Sequence, residues 1–215
     1  DKMKSLEMQG KTLITVAVDG EIAGFVAIRD LLKDTSFRAV LMLKKSGRKV
    51  MLITGDNPQT AAAIAKEAGI DEVLSGFSPQ DKALEIKKMQ ETGRKIAMVG
   101  DGINDAPALT QADLGIAIGS GTGVAIESGQ IVLVKNDPRD VAAAMDLSRY
   151  TMKKIKQNLF WAFFYNVVGI PVAAGILYPF FGFLLNPMIA GAAMAFSSVS
   201  VVTNSLLMRR YRAPD

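Results

Sequence analysis

Met98-Val99-Gly100-Asp101-Gly102-Ile103-Asn104-Asp105-Ala106-Pro107 is the stretch on which the reading of the whole chain turns. An apolar run at 95–99 leads into it and a helical pattern at 105–111 leads out, so it joins a buried strand to a helix. Asp101 sits in a flexible Gly-Asp-Gly turn, and Asp105 follows where the helix begins. Two carboxylates leaving a strand end beside backbone amides suit a hard, oxygen-preferring cation such as Mg²⁺. An Asp-Gly turn alone is commonplace; the ten-residue run is far more specific.

Outward from this stretch, helix and strand alternate. Helical patterns cover 36–46, 58–68 and 79–91, with short apolar strands at 49–53, 72–74, 114–118 and 131–134 between and after them. Asp56 ahead of Pro58 marks a helix start and Gly69 a stop. Such alternation predicts a parallel sheet covered by helices, with ligands at the carboxyl ends of the strands. Before it, Asp19-Gly20 between the β-rich runs 12–18 and 21–28 predicts a two-residue hairpin. An isolated hairpin is marginal in water, so these strands are expected to finish a sheet begun elsewhere and the chain to be a fragment.

Two further motifs converge on the same edge. Thr54-Gly55-Asp56-Asn57 follows the strand at 49–53, where a hydroxyl and helix-start amides suit a phosphoryl group. Ser78-Pro79-Gln80-Asp81-Lys82 opens another helix, and Lys82 can bring a point charge to phosphate oxygens. A lone lysine near a helix start is usually a solvated surface charge. Its company is what raises it here.

The composition changes abruptly near residue 157. From there to 208 the sequence contains no Asp, Glu, Lys or Arg. A helical pattern starting near Pro138 runs without a break through Lys153, Lys154 and Lys156 into this stretch. Two membrane helices are expected, at about 159–177 and 187–208, each near the ~20 residues a bilayer requires. Lys153, Lys154 and Lys156 on one side and Arg209, Arg210 and Arg212 on the other place both outer ends in the cytoplasm. The net charge of +4 is accounted for in this way, and nucleic-acid binding is not expected. With neither Cys nor His, the chain has no disulfide, zinc finger or imidazole metal site.

Together these motifs resemble the phosphorylation domain of P-type ATPases, members of the haloacid dehalogenase-like superfamily. The resemblance rests on Thr54-Gly55-Asp56, on Lys82 and on Gly100-Asp101-Gly102-Ile103-Asn104-Asp105, and extends over nearly the whole chain. It implies a Rossmann-like parallel-sheet domain followed by a two-helix transmembrane hairpin. The expected divisions are the end of a nucleotide-binding domain at 1–29, the phosphorylation domain at 30–148, and a stalk with membrane helices at 149–215. It also implies phosphoryl transfer from ATP to an aspartate, followed by hydrolysis. Asp101 would ligate Mg²⁺ and Asp105 would support the ion and its water. Lys82 would steady the phosphate, Thr54 would hydrogen-bond it, and Gly55, Asp56 and Asn104 complete the matched motifs. The family's Asp-Lys-Thr-Gly nucleophile sequence is absent, Asp1-Lys2 being followed by Met3. The chain alone is therefore expected to be inactive.

The cargo is read from the apolar stretch. Pumps for Ca²⁺, Na⁺ or Zn²⁺ would be expected to place carboxylates in the bilayer, whereas soft monovalent copper prefers sulfur. Met194 and Ser198 are four apart, on one helix face. Met194-Ala195-Phe196-Ser197-Ser198 and Tyr165-Asn166 resemble motifs of copper-exporting P-type ATPases, which implies that Tyr165, Asn166, Met194 and Ser198 contribute to a Cu⁺ site. The family's Cys-Pro-Cys is absent. Met, Ser and Tyr are also ordinary packing residues in membrane helices. The partners implied are the rest of the same pump, the lipid bilayer (most simply the plasma membrane) and a copper chaperone. A membrane-anchored Mg²⁺-dependent phosphatase and a silver pump are the alternatives. Gly10-Lys11-Thr12 lacks the earlier Gly of a Walker loop, and Gly119-Ser120-Gly121-Thr122-Gly123 has the wrong spacing for a dinucleotide fingerprint.

Overall fold

The computed structural model describes residues 3, 6, 11–28, 31–101, 104–119, 127–176, 178–182 and 187–213. They divide into two compact units, Asp1–Ala142 and Ala143–Asp215.

In the first unit, β1 (Thr12–Val18) and β2 (Glu21–Ile28) form the antiparallel hairpin that Asp19-Gly20 predicts. Both turn residues take positive φ, 53° and 84°, as a primed hairpin turn requires. The α/β part then runs α1 (Ser36–Lys45), β3 (Met51–Ile53), α2 (Pro58–Ala68), β4 (Glu72–Leu74), α3 (Pro79–Glu91), β5 (Ala97–Gly100), α4 (Ala106–Gln111), β6 (Leu114–Ile118) and β7 (Ile131–Leu133). Helix boundaries follow local chemistry. Asn57 caps α2 by accepting from the Thr60 amide at 2.9 Å, and Gly69 ends it in the left-handed region at φ 73°.

All pairings outside the hairpin are parallel, as the alternation predicts. The sheet is not continuous, however. β3 pairs with β4 in one ladder and β5–β6–β7 form another. Packing links them where backbone bonds do not: Ile53 of β3 lies against the core cluster of Ile86, Met98, Ala108, Leu109 and Ala112. β6 is buried at Gly115, Ile116 and Ala117, on both faces, whereas β5 is buried only at Met98, with Ala97 and Val99 exposed. Parallel sheets are normally covered on both sides. Here α3 and α4 supply the residues that cover the Met98 side.

The second unit contains most of α5 (Arg139–Ala173), the short α6 (Tyr178–Phe181), α7 (Pro187–Leu206) and a 3₁₀ turn at Leu207–Arg210. The unbroken helix from the charged segment into the apolar one is present and continues past Pro171. The spans expected at 159–177 and 187–208 differ in extent. α5 ends at Ala173 in a turn, Leu177 lies outside the described residues, and α7 stops at Leu206. Among the described residues no helix is long and apolar enough to cross a membrane.

Candidate active site

Three loops that leave β3, β4 and β5 build the site. After β3, the Thr54 hydroxyl donates to the Asp56 carboxylate at 2.7 Å and accepts from the Asp56 amide at 3.2 Å. This closed turn is tied to the loop after β4 by backbone bonds. The Thr54 amide donates to Leu74, Gly76 donates to Asp56, and Phe77 donates to Thr54, at 2.9, 2.9 and 3.1 Å. A Cβ at Gly55 would stand 3.3 Å from the Phe77 carbonyl oxygen, so the two loops are in close approach.

Ser78 follows at once and caps α3. Its hydroxyl accepts from the Asp81 amide while the Asp81 carboxylate accepts from the Ser78 amide, each at 3.3 Å, which is a capping box. The cap sets the first turn of α3, and Lys82 projects from that turn. Its Nζ donates to Asp105 Oδ1 at 2.7 Å, with side chains 13% and 16% exposed. An ion pair so far withdrawn from water holds its geometry better than a surface pair.

Asp105 stands just before α4, and its side chain lies over Gly100 at the end of β5. A Cβ on Gly100 would come within 2.6 Å of Asp105 Oδ2 and 2.8 Å of its Cβ. Glycine is therefore required there by contact, independently of backbone φ. Asp101 follows Gly100 directly and is exposed, as is Asn104. Gly102 and Ile103 lie outside the described residues. The structure thus links Thr54 to Phe77, Ser78 to Lys82, and Lys82 through Asp105 to Gly100–Asp101, at the carboxyl ends of the strands.

A second polar cluster clamps the opposite end of β5. Asp113 accepts from the Ile96 amide at 3.0 Å, Lys95 at 2.8 Å and Gln90 at 2.9 Å. The Ile96 amide first, then Lys95 and Gln90, hold its carboxyl well below the usual carboxylate range. Asp137 is held low by the Arg139 fork, whose Nη2 donates at 2.7 Å, with Thr35 assisting. These groups fix the scaffold and stand apart from the loops of the site.

Among the described residues no cluster of three or more Asp, Glu, His or Cys could by itself hold a metal ion. Asp101 and the second oxygen of Asp105 are carboxylate donors of the kind Mg²⁺ takes when its other oxygens come from phosphate and water. One such bound ion would neutralise phosphate charge.

In the second unit, Asn166 donates its amide to the Ala162 carbonyl one turn back, at 2.8 Å. Tyr165 is half-buried and its ring lies 6.2 Å from that of Trp161. Ser198 is exposed on α7, and the side chain of Met194 lies outside the described residues. Residues 120–126, with most of the second glycine run, lie outside them too. The Lys82–Asp105 pairing was not legible in the sequence, which shows both residues without a reason to join them.

Residues 1–113 match the haloacid dehalogenase-like hydrolase family. The chain is 55% identical over 212 residues to a protein of Archaeoglobus fulgidus named a probable copper-exporting P-type ATPase, covering 99% of this chain and 26% of that protein. It is 54% identical over 211 residues to a copper-exporting P-type ATPase of Bacillus subtilis, covering 98% and 25%. Its fold is similar to the crystal structure of a zinc-transporting PIB-type ATPase in the E2.Pi state. The TM-score is 0.79 at 34% identity, over 96% of this chain and 33% of that one. The chain spans about a quarter of the length of the curated relatives it matches. Helices alternating with parallel-paired strands agree with the family match, and the chain belongs to the haloacid dehalogenase-like hydrolases.

Proposed function

We propose that the chain is the carboxy-terminal part of an ATP-driven pump that exports monovalent copper. The observation that carries this reading is the Lys82–Asp105 pair beside Asp101 at the end of β5, in a chain more than half identical to copper exporters.

The terminal phosphoryl group of ATP passes to an aspartate carboxylate oxygen supplied by another part of the pump, and ADP leaves. Water then attacks the acyl phosphate and releases inorganic phosphate. Lys82 places its charge against the phosphoryl oxygens and is aimed by Asp105. Thr54 offers its hydroxyl to the same group once it turns from Asp56, and the Gly55 backbone keeps the loop close to Phe77. Asp101 and Asp105 would hold Mg²⁺, with Asn104 next to Asp105 in the chain, and the ion would neutralise phosphoryl charge. Nearly all of this is positioning and charge stabilisation, as phosphoryl transfer demands.

The second half of α5 and α7 lie in the bilayer among the pump's other membrane helices. The charge-free stretch supports this, as do the large exposed apolar side chains of α5: Phe160, Phe163, Val167 and Ile170 are 60–68% exposed. Tyr165, Asn166, Met194 and Ser198 contribute the chain's share of the Cu⁺ site. The want of any carboxylate there favours Cu⁺ over Zn²⁺. α5, unbroken from Arg139, carries movement of the catalytic domain to the ion site as a rod. A copper chaperone is the expected donor.

The test is ATP hydrolysis by the full-length pump in lipid, with Cu⁺ and Ag⁺ titrated against Zn²⁺ and Ca²⁺. Stimulation by the soft ions alone, abolished by Asp101→Ala, is the expected result. Stimulation by Zn²⁺ or indifference to all four ions overturns the copper reading. Turnover that survives Asp101→Ala overturns the assignment of the catalytic edge.

A further inference from the structure

One polar chain crosses between α5 and α7 at the border of the charge-free stretch, and the pump reading leaves it without a role. Lys154 Nζ donates to Asn204 Oδ1 at 2.8 Å, and Asn204 Nδ2 donates to Asn158 Oδ1 at 2.7 Å. Asn158 Nδ2 donates to the Ser205 hydroxyl at 2.9 Å, and that hydroxyl donates to the Val201 carbonyl at 2.8 Å. Every donor points the same way, from an ammonium group to a helix carbonyl. Bonds arranged head to tail polarise one another, and a cation at the donor end strengthens the first of them.

The geometry points to Asn158 and Asn204 as positioning residues that lock the register of α7 against α5, so that the ion-site residues on the two helices meet. The inference rests on the pump reading. Lys154 and Asn158 are one turn apart on α5, and Asn204 bonds to both, so sliding or rotating α7 by a single residue would break two bonds together. Apolar side chains can slip past one another at small cost, whereas paired amides have discrete partners. Asn204 lies on the same helix as Met194 and Ser198, and Asn158 on the same helix as Tyr165 and Asn166. Helix rigidity carries the register from the border to the ion site. The lock is fastened again from the aqueous side. Lys154 sits 5.7 Å over the Tyr150 ring, which packs 5.2 Å from Tyr211, and Tyr211 donates to Asp146 at 2.9 Å.

The experiment measures Cu⁺-stimulated ATP hydrolysis by the full-length pump in lipid vesicles, alongside its phosphorylation by inorganic phosphate. Asn158→Ala and Asn204→Ala are each expected to raise the half-saturating Cu⁺ concentration by about three- to twentyfold, the range that interhelical hydrogen bonds in membranes convert to. Maximal turnover and phosphorylation by inorganic phosphate stay within about twofold, because the catalytic loops are untouched. The double variant is expected to shift the concentration by less than the product of the two single effects, since both remove the Asn204–Asn158 bond while each removes one further bond of its own. Asn158→Asp, which keeps the acceptor for Asn204 but loses the amide that donates to Ser205, recovers part of the alanine loss. A wild-type pump indifferent to Cu⁺ and Ag⁺ overturns both the pump reading and this one. A Cu⁺-stimulated wild type whose alanine variants keep its half-saturating concentration, or lose maximal turnover and phosphorylation instead, overturns the lock alone.

Discussion

Lys82 Nζ lies 2.7 Å from Asp105 Oδ1, and the pair ties the first turn of α3 to the residue that opens α4. Removing one partner leaves the other charged with little access to water. Lys82→Met is expected to destabilise the chain by about 1–3 kcal/mol, and Asp105→Asn by less, because an amide still accepts from the lysine. Thermal unfolding of the two variants checks the order. Equal losses would mean that the pair adds nothing beyond packing.

Gly100→Ala places a methyl group where Asp105 now lies, 2.6 Å from its Oδ2. The carboxylate must move, and Lys82 loses the partner that aims it. Overpacking of this kind costs about 1–3 kcal/mol. ATP turnover by the full-length pump should fall at least tenfold, while Gly24→Ala, where a Cβ meets nothing within 4 Å and the backbone is not left-handed, leaves turnover intact.

Asp113 provides a pH signature. Its carboxyl is depressed by the Ile96 amide, Lys95 and Gln90, so the folded form favours the carboxylate. That contribution is complete above the unfolded value near 4 and is lost as pH falls through the lower folded value. The melting temperature of wild type minus that of Asp113→Asn is therefore expected to be positive at pH 6 and to shrink steadily below about pH 4. A difference independent of pH would show that the carboxylate charge is immaterial.

Tyr211 is pushed up to about 12 by burial and by its hydrogen bond to Asp146. Stability from this raised group is present below its ordinary value near 10 and disappears as pH rises through about 12. A tyrosinate absorbance titration should show one late step that is missing in Tyr211→Phe. Persistence of the late step in that variant would assign it to another ring.

The class of fold was legible along the chain, because period and punctuation are local. Apolar runs between capped helices mark a parallel α/β domain, Asp19-Gly20 marks the hairpin, and Asp56 to Pro58 and Gly69 bracket a helix whose ends are where those residues put them. The sequence also put Thr54 and Asp101 just past strand ends, since motif position relative to a strand follows from order alone. Tertiary structure decided what meets what. That Lys82 reaches Asp105, that Gly100 is glycine because a carboxylate lies on it, and that Asn158 and Asn204 pair across two helices are consequences of approach in space. The division of the expected sheet into two ladders was likewise invisible, because strand pairing depends on non-local hydrogen bonds that no spacing along the chain encodes.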